Sequence, residues 1–313
     1  MSSSDMPEVL ILDEGFAGLF DLKEFSFSPV FLPKAGKLED NPHIKAIITN
    51  GAIGLPEALQ SLSSLEMIAV CGVGIDRLPL PLLKKRKIKV STAIGINADE
   101  VADTALMFLL NLRRNFLFNF AWLKEGLWQK SGEPPLGHSI KNAKIGIVGL
   151  GAIGQALAKR VSALGASVRY YNRSERDTSF QREKDLGQLA EWSDALILAV
   201  PGTEETYHLI DSHILEKLGS EGILINIARG SVIDENALIR ALKDNKIKGA
   251  GLDVFETEPA VNPAFFELSN CILQPHQGSA TLETRKAMAM NVIQNLQAYF
   301  QGKPLITPLS GLA

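Results

Sequence analysis

The stretch Lys144-Ile-Gly-Ile-Val-Gly149-Leu-Gly151-Ala-Ile-Gly154 constrains the fold of this chain more than any other part of it. An apolar run enters a G-x-G-x-x-G turn, and an amphipathic segment, Ile153 to Leu164, leaves it. Each glycine has a physical reason. Gly149 permits the tight reversal, Gly151 keeps the backbone bare so that a pyrophosphate can approach, and Gly154 lets helix and strand pack closely. A buried strand that feeds straight into a helix returns by a crossover to a parallel neighbour, so a layered α/β sheet must form around it. The helix start offers unpaired N–H groups and a partial positive charge to phosphate. A ligand-free βα turn is the competing account, and the flanking strand and helix disfavour it.

Short apolar runs alternate with helix-length segments on both sides of that turn. Before it lie Val9–Leu12, Ala46–Thr49 and Met67–Val70; after it come Ser167–Tyr171, Ala195–Ala199, Gly222–Asn226, Gly249–Val254 and Cys271–Leu273. Helical patterns cover Val101–Arg113, opened by Asp99 and Glu100, then Ile153–Leu164 and Asp234–Asp244. A polar, Gly/Pro-bearing linker, Ser131–His138, separates the two series. Two such series in 313 residues predict two doubly wound, parallel-sheet α/β domains. The last pattern, Ser279–Phe300, is long enough to leave the second domain and pack on the first. The expected boundaries are 1–98 with 283–313 for a discontinuous domain and 99–282 for an inserted one, with hinges near 98 and 282.

Apolar residues make up 46% of the chain and charged ones 21%, with a net charge of −3. That balance argues against an extended nucleic-acid surface or an anionic-membrane patch and leaves room only for a local one such as Lys84 to Lys87. The basic run Lys84-Lys85-Arg86-Lys87 reads as a solvated helix end. No run reaches the ~18–20 apolar residues of a membrane span. Val9–Leu12, bounded by Glu8 and Asp13, suits a first strand better than a signal peptide. Two cysteines, Cys71 and Cys271, make no disulfide framework and read as small buried hydrophobes, so a cytoplasmic protein is expected.

The strand after the glycine turn, ending at Tyr171, should finish where the adenosine ribose of a dinucleotide sits. An NAD-selective site wants an acid there for the ribose 2′-OH. This chain has Asn172-Arg173-Ser174. Arg173 can pair with a 2′-phosphate and Ser174 can add a hydrogen bond, so NADP(H) is the expected preference, with NAD(H) still usable. Glu175 would weaken that preference if it faced the ribose instead. Without the preceding turn, Arg173 would be an ordinary loop arginine.

Three further segments lie after successive strands, where open α/β sheets bind ligands. They are Asn226-Ile-Ala-Arg229-Gly230, Asp253-Val-Phe-Glu-Thr-Glu258-Pro259 and Gln274-Pro275-His276-Gln277-Gly278-Ser279. Taken singly, Arg229, Glu258 and His276 have bland accounts as loop residues. Together they supply a cation, a carboxylate and an imidazole, the set a 2-keto acid reductase needs. Arg229 can clamp the substrate carboxylate and polarise the carbonyl. His276 can give a proton to the developing alkoxide, and Glu258 can set the imidazole tautomer. Asp253 is placed for the nicotinamide carboxamide, or acts as a strand-end cap.

These motifs, with Cys71-Gly-Val-Gly-Ile-Asp76 and Glu283-Thr284-Arg285, resemble the D-isomer-specific 2-hydroxyacid dehydrogenases, particularly the glyoxylate/hydroxypyruvate and hydroxyphenylpyruvate reductases. The resemblance covers nearly the whole chain. It implies a Rossmann cofactor domain inserted into a flavodoxin-like substrate domain, a homodimer, and an active site in the cleft between the domains. It places Arg229, Glu258 and His276 on catalytic positions. Cofactor contacts fall on the turn with Ala152 and Ile153, and on Thr104, Val200, Pro201, Thr206 and Ala228. Substrate contacts fall on Asn50, Gly51, Ile53, Val73, Gly74 and Ser279, and on Trp128, which reaches into the partner's site in some members or else packs in the dimer interface. No metal is expected. Arg77 and Gln277 depart from the family pattern near the cleft and leave the substrate open. Aromatic or sugar-derived keto acids such as 2-ketogluconate are the alternative substrates. A dinucleotide-sensing corepressor-like protein is the alternative of another class. No regulatory extension follows Ala313, which points away from an allosteric phosphoglycerate dehydrogenase.

Overall fold

The computed structural model describes residues 6–12, 14–19, 27–31, 42–60 and 62–311. Asp13 and Ala313, used above as boundary markers, lie outside the described residues. The chain divides into two units, residues 1–97 with 280–313 and residues 98–279.

In the first unit the order is β1 (Glu8–Ile11), α1 (Glu14–Ala17), β2 (Ser28–Phe31), β3 (Ile44–Thr49), β4 (Met67–Val70), α2 (Leu80–Arg86) and β5 (Lys89–Ser91). All strand pairs are parallel, in the order β2-β1-β3-β4-β5. This is the flavodoxin-like order. The two-residue period of a strand sends Val9, Ile11, Ala46 and Ile48 to one face and Leu10 and Ile47 to the other. β2 escapes a pattern search because it carries Pro29 and none of its residues is buried, as befits an edge. The basic run ends α2, with Lys87 in a left-handed cap; Lys84, Lys85 and Lys87 are exposed while Arg86 donates to the Gln60 and Leu62 carbonyls.

The second unit contains α3 (Ala98–Arg113), α4 (Phe116–Lys124), α5 (Leu127–Ser131), β6 (Lys144–Val148), α6 (Ala152–Ala163), β7 (Ser167–Tyr171), β8 (Gln181–Glu183), α7 (Leu186–Trp192), β9 (Ala195–Leu198), α8 (Ser212–Leu218), β10 (Ile223–Asn226), α9 (Glu235–Lys243), β11 (Gly249–Leu252) and β12 (Cys271–Leu273). Its parallel sheet runs β12-β11-β10-β9-β6-β7-β8. The strands are close to those the sequence predicts, apart from β8, a polar three-residue edge with no hydrophobic signal. One face packs Ile145 and Ile147 on Ala105 and Phe108 of α3 and Leu157 of α6; the other packs Leu196 and Leu224 on Leu238 and Leu242 of α9. Chain order reverses between β6 and β9, which creates the crevice outside their carboxyl ends where such sheets take ligands.

The chain then returns to the first unit through α10 (Leu282–Phe300), capped by Thr281 on the Thr284 N–H. Met288, Ala289, Val292, Ile293 and Leu296 of this helix cover the face of Val9, Ala46 and Met67. Among the described residues no helix is long and apolar enough to cross a membrane. Cys71 is buried, whereas Cys271 is half-buried; burial still pushes its thiol up to about 12, so it stays protonated.

Asn295, fully buried on α10, holds the C-terminal strap: its Oδ1 accepts from Ile306 and Thr307 N–H, and its Nδ2 donates to Asn291 O and Thr307 Oγ1. Asn295→Ala strands two backbone donors and should cost ~2–4 kcal/mol. Urea unfolding monitored by circular dichroism measures this, and a loss below ~1 kcal/mol would contradict the account.

Candidate active site

The glycine turn sits at the switch point of the second sheet. Gly149 has a φ of 98°, and a Cβ there would lie 2.5 Å from Ala199 O; at Gly154 it would lie 2.1 Å from Gly149 O. No side chain larger than hydrogen fits either place. At Gly151 an added Cβ would meet nothing within 4 Å, and Gly151 caps α6 with no side-chain hydrogen bond. The exposed start of α6, with Ala152 and half-buried Ile153, therefore presents open N–H groups, as a dinucleotide pyrophosphate requires. These residues fit a bound dinucleotide.

Asn172, Arg173 and Ser174 follow β7 as predicted, but their side chains differ in employment. Asn172 Oδ1 accepts from Leu150 N–H at 2.9 Å and so braces the turn. Arg173 is exposed and pairs with Glu205. Ser174 and Glu175 are both exposed at the same bend. Arg182 of β8, which sequence reasoning missed because an edge strand this short carries no pattern, donates to the Asn172 and Arg173 carbonyls at 2.8 and 2.6 Å.

After β9, Val200 is half-buried and Pro201 exposed. Thr206 Oγ1 donates to Pro201 O at 2.7 Å and accepts from Thr203 N–H at 2.8 Å, so this hydroxyl fastens its own loop. Thr104 Oγ1 donates to Gly278 O at 3.3 Å.

The side chains Arg229, Glu258 and His276 follow three neighbouring strands, β10, β11 and β12. Buried Asn226 takes Ala228 N–H on Oδ1 and gives Nδ2–H to Arg229 O, which shapes the turn that carries Arg229. Arg229 Nη1 donates to Ala228 O at 2.7 Å. Gly230 lies so near the next loop that a Cβ would be 1.8 Å from Phe255 C. That contact seats the Arg229 turn against the Glu258 loop. Glu258 Oε1 accepts from Phe255 N–H at 3.0 Å, and Oε2 lies 2.7 Å from His276 Nδ1. His276 has a φ of 50°, in the left-handed region, and its N–H donates to Asp253 O at 2.8 Å. Nδ1 is engaged by Glu258, which leaves Nε2 to meet a substrate.

Burial by itself would raise the Glu258 pKa. The imidazole hydrogen bond, the Phe255 N–H and the charges of His276 and Arg229 outweigh it and hold the carboxyl below the ordinary Glu value. Asp253 is 2% exposed, and burial pushes its pKa up against two backbone donors, Gln277 N–H at 2.7 Å and Gly278 N–H at 2.8 Å. In this structure the Asp253 carboxylate thus serves as the strand-end brace. Half-buried Ser279 follows that loop, and Gln277 turns its amide back to Pro275 O. Buried Glu235, unremarked in the sequence because it resembles any acid in a first helical turn, accepts Glu256 N–H at 2.7 Å. It anchors the Glu258 loop from below.

In the first unit, the loops after β3 and β4 meet: a Cβ on Gly51 would lie 3.1 Å from Gly74 Cα. Asn50 Oδ1 closes its own loop on Ala52 and Ile53 N–H, and Arg77 Nη1 donates to Ala52 O at 2.7 Å. Asn50, Gly51, Ile53, Val73 and Gly74 therefore form one local cluster, and Arg77 is part of its support. Trp128 is elsewhere, 61% exposed on α5 of the second unit.

A doubly wound sheet with a bare glycine turn at its switch point, and a cation, carboxylate and imidazole on adjoining strands, defines a dinucleotide-dependent oxidoreductase. Comparison with known proteins narrows this. Residues 106–278 match the family "D-isomer specific 2-hydroxyacid dehydrogenase, NAD binding domain". The chain is 44% identical over 309 residues to the 2-ketogluconate reductase of Gluconobacter oxydans (strain 621H), covering 98% of this chain and 99% of that one. It is 39% identical over 293 residues to a glyoxylate/hydroxypyruvate reductase A of Arabidopsis thaliana, covering 93% and 92%. The NADPH-dependent glyoxylate/hydroxypyruvate reductase of Sinorhizobium meliloti, solved in complex with NADP and malonate, superposes with a TM-score of 0.89 at 36% identity, covering 98% and 97%. The chain belongs to the D-isomer specific 2-hydroxyacid dehydrogenases, oxidoreductases that use NAD(P).

The depressed Glu258 pKa sets a pH dependence. Its pairing contributes stability that is fully present above the unfolded value of about 4.5 and lost as pH falls through the lower folded value. Glu258→Gln should therefore be less stable than the parent by ~1–2 kcal/mol at neutral pH, with the gap closing in acid. Urea titrations across pH test this; a gap of constant size down to the lowest pH at which both fold would contradict it.

Proposed function

We propose that this enzyme is an NADPH-preferring reductase of small 2-keto acids of the glyoxylate/hydroxypyruvate type, giving D-2-hydroxy acids. The observation that carries the reading is the His276 Nδ1–Glu258 Oε2 contact at 2.7 Å with the Arg229 charge acting on the same carboxylate. Bound NADPH supplies the hydride. Arg229 binds the substrate carboxylate and draws charge towards the neighbouring carbonyl oxygen. Protonated His276 gives its Nε2 proton to that oxygen as negative charge develops there, and Glu258 holds the ring by Nδ1 so that Nε2 points to the substrate. Asp253, Asn226 and Glu235 act on the loops that carry these groups. In the first unit, the Val73–Gly74 loop is proposed to offer backbone N–H groups to a carboxylate, and the Asn50–Ile53 loop, whose Ala52 and Ile53 N–H groups are held by Asn50 Oδ1, is proposed to contact the substrate as a wall.

The NADPH preference rests on Arg173 and Ser174 after β7 and the absence of an acid among the first three residues there. It is supported by the NADPH dependence of the Sinorhizobium meliloti neighbour. A second reading, reduction of a sugar-derived acid such as 2-ketogluconate, is favoured by the 44% identity to a 2-ketogluconate reductase. The measurement that separates the two is kcat/KM for glyoxylate, hydroxypyruvate, pyruvate, phenylpyruvate, hydroxyphenylpyruvate and 2-ketogluconate with each cofactor. Highest efficiency with glyoxylate or hydroxypyruvate and NADPH is expected, with His276→Ala losing ~10²-fold or more in kcat. Best turnover of 2-ketogluconate would transfer the assignment to the second reading, and equal or better use of NADH would remove the cofactor preference. No turnover of any acid would move the protein to the dinucleotide-sensing class.

A homodimer is also proposed. No residue of α4 or α5 is buried; Phe116, Phe120 and Leu123, at i, i+4 and i+7 of α4, are each 59% exposed, and Trp128 of α5 is 61% exposed. Exposed large apolar side chains in such a stripe are characteristic of an interface with another chain. Sedimentation at micromolar concentration should give twice the 34.0 kDa chain mass, shifting towards monomer in Phe120→Glu/Leu123→Glu. A monomeric parent would refute it.

A further inference from the structure

We propose that Glu205 is a specificity residue for the cofactor: it competes with the 2′-phosphate for Arg173 and tempers the preference for the phosphorylated dinucleotide. The inference rests on the reading of Arg173 as the 2′-phosphate ligand. In the second sheet β6 lies between β9 and β7, so the loops after β9 and β7 flank the glycine turn that ends β6. The Arg173–Glu205 ion pair joins those two loops and so spans the end of β6.

Neither partner stands on a loose backbone. Arg182 clamps the Asn172 and Arg173 carbonyls at 2.8 and 2.6 Å. The turn Glu204–Thr206 is fastened through one hydroxyl: Thr203 N–H donates to Thr206 Oγ1, and Thr206 Oγ1 donates to Pro201 O. The side chains themselves are 80% and 66% exposed, so the pair is weak and opens readily. It acts as a counterweight and not as a lock. A 2′-phosphate approaching Arg173 must displace the Glu205 carboxylate and then meets its repulsion, whereas a 2′-hydroxyl brings no negative charge and can donate to it.

The test uses 2′,5′-ADP and 5′-AMP as probes of the adenosine end, with dissociation constants from isothermal titration calorimetry on the full chain and on Glu205→Gln. Both side chains are exposed, so the substitution leaves the core untouched. The ratio Kd(5′-AMP)/Kd(2′,5′-ADP) is expected to rise about three- to tenfold in Glu205→Gln at low salt, and the rise should shrink in 1 M salt. In an Arg173→Ala background the same Glu205→Gln change should give a smaller rise, because the competition acts through the guanidinium. An unchanged ratio in Glu205→Gln, or an equal rise with and without Arg173, would overturn the proposal. A parent that favours 5′-AMP while Glu205→Gln still raises the ratio would refute the NADPH preference and uphold this role for Glu205. A parent that favours 2′,5′-ADP with no change in Glu205→Gln would do the reverse.

Discussion

At the end of β11 the Asp253 carboxylate is sealed from water and accepts the Gln277 and Gly278 N–H groups, while its own carbonyl accepts His276 N–H. Burying a carboxylate is costly, and burial does raise its pKa, yet two charge-assisted bonds at 2.7 and 2.8 Å make it the natural receptor for a loop that would otherwise strand its donors. The loop so held carries His276 at positive φ, a conformation that non-glycine residues keep only when their surroundings impose it. The position of the imidazole against Glu258 therefore follows from a carboxylate that need not touch the substrate.

The same logic repeats one strand over. Asn226 shapes the Arg229 turn with both ends of its amide, and Gly230 removes the side chain that would keep that turn away from Phe255 and Glu256. Glu235 receives Glu256 N–H from the other side. Arg229, Glu258 and His276 converge because three parallel strands in register end together and three sets of backbone hydrogen bonds fix what leaves them. Charge then does the tuning. The cation and the imidazole overcome the burial of Glu258, so the carboxylate remains ionised and available to hold Nδ1.

The cofactor side is built differently. The glycine turn is rigid by steric necessity at Gly149 and Gly154 and open at Gly151, which suits a phosphate that every dinucleotide shares. The charged groups on the flanking loops, Arg173 and Glu205, are instead exposed and paired with each other. Surface pairs of this kind can be altered at little cost to stability, unlike the sterically fixed turn beside them.

Much of this was legible in the linear chain. Periodicity located nine of the twelve strands among the described residues within about two residues, because buried parallel strands are continuous apolar runs, and the G-x-G-x-x-G spacing identified the turn because no other residue fits at Gly149 or Gly154. Arg229, Glu258 and His276 could be picked out as a candidate set because each follows a strand, and the structure brings His276 and Glu258 to 2.7 Å. The edge strands β2 and β8 were not legible, because partial exposure, proline and polar residues erase the apolar signal. Nor could the sequence show that Asn172 braces Leu150, that Thr206 caps its own loop, or that Asp253 is spent on the His276 loop. Those roles depend on which backbone donor happens to lie within 3 Å, and residues such as Arg173 and Glu205, 32 positions apart, become partners only when β9, β6 and β7 are laid side by side. The sequence by itself determined the parallel fold and which residue types stand after its strands, through steric and periodic rules that act locally. Only the tertiary structure decided how each polar side chain is employed, because hydrogen bonds and ion pairs are settled by distance in space and not by distance along the chain.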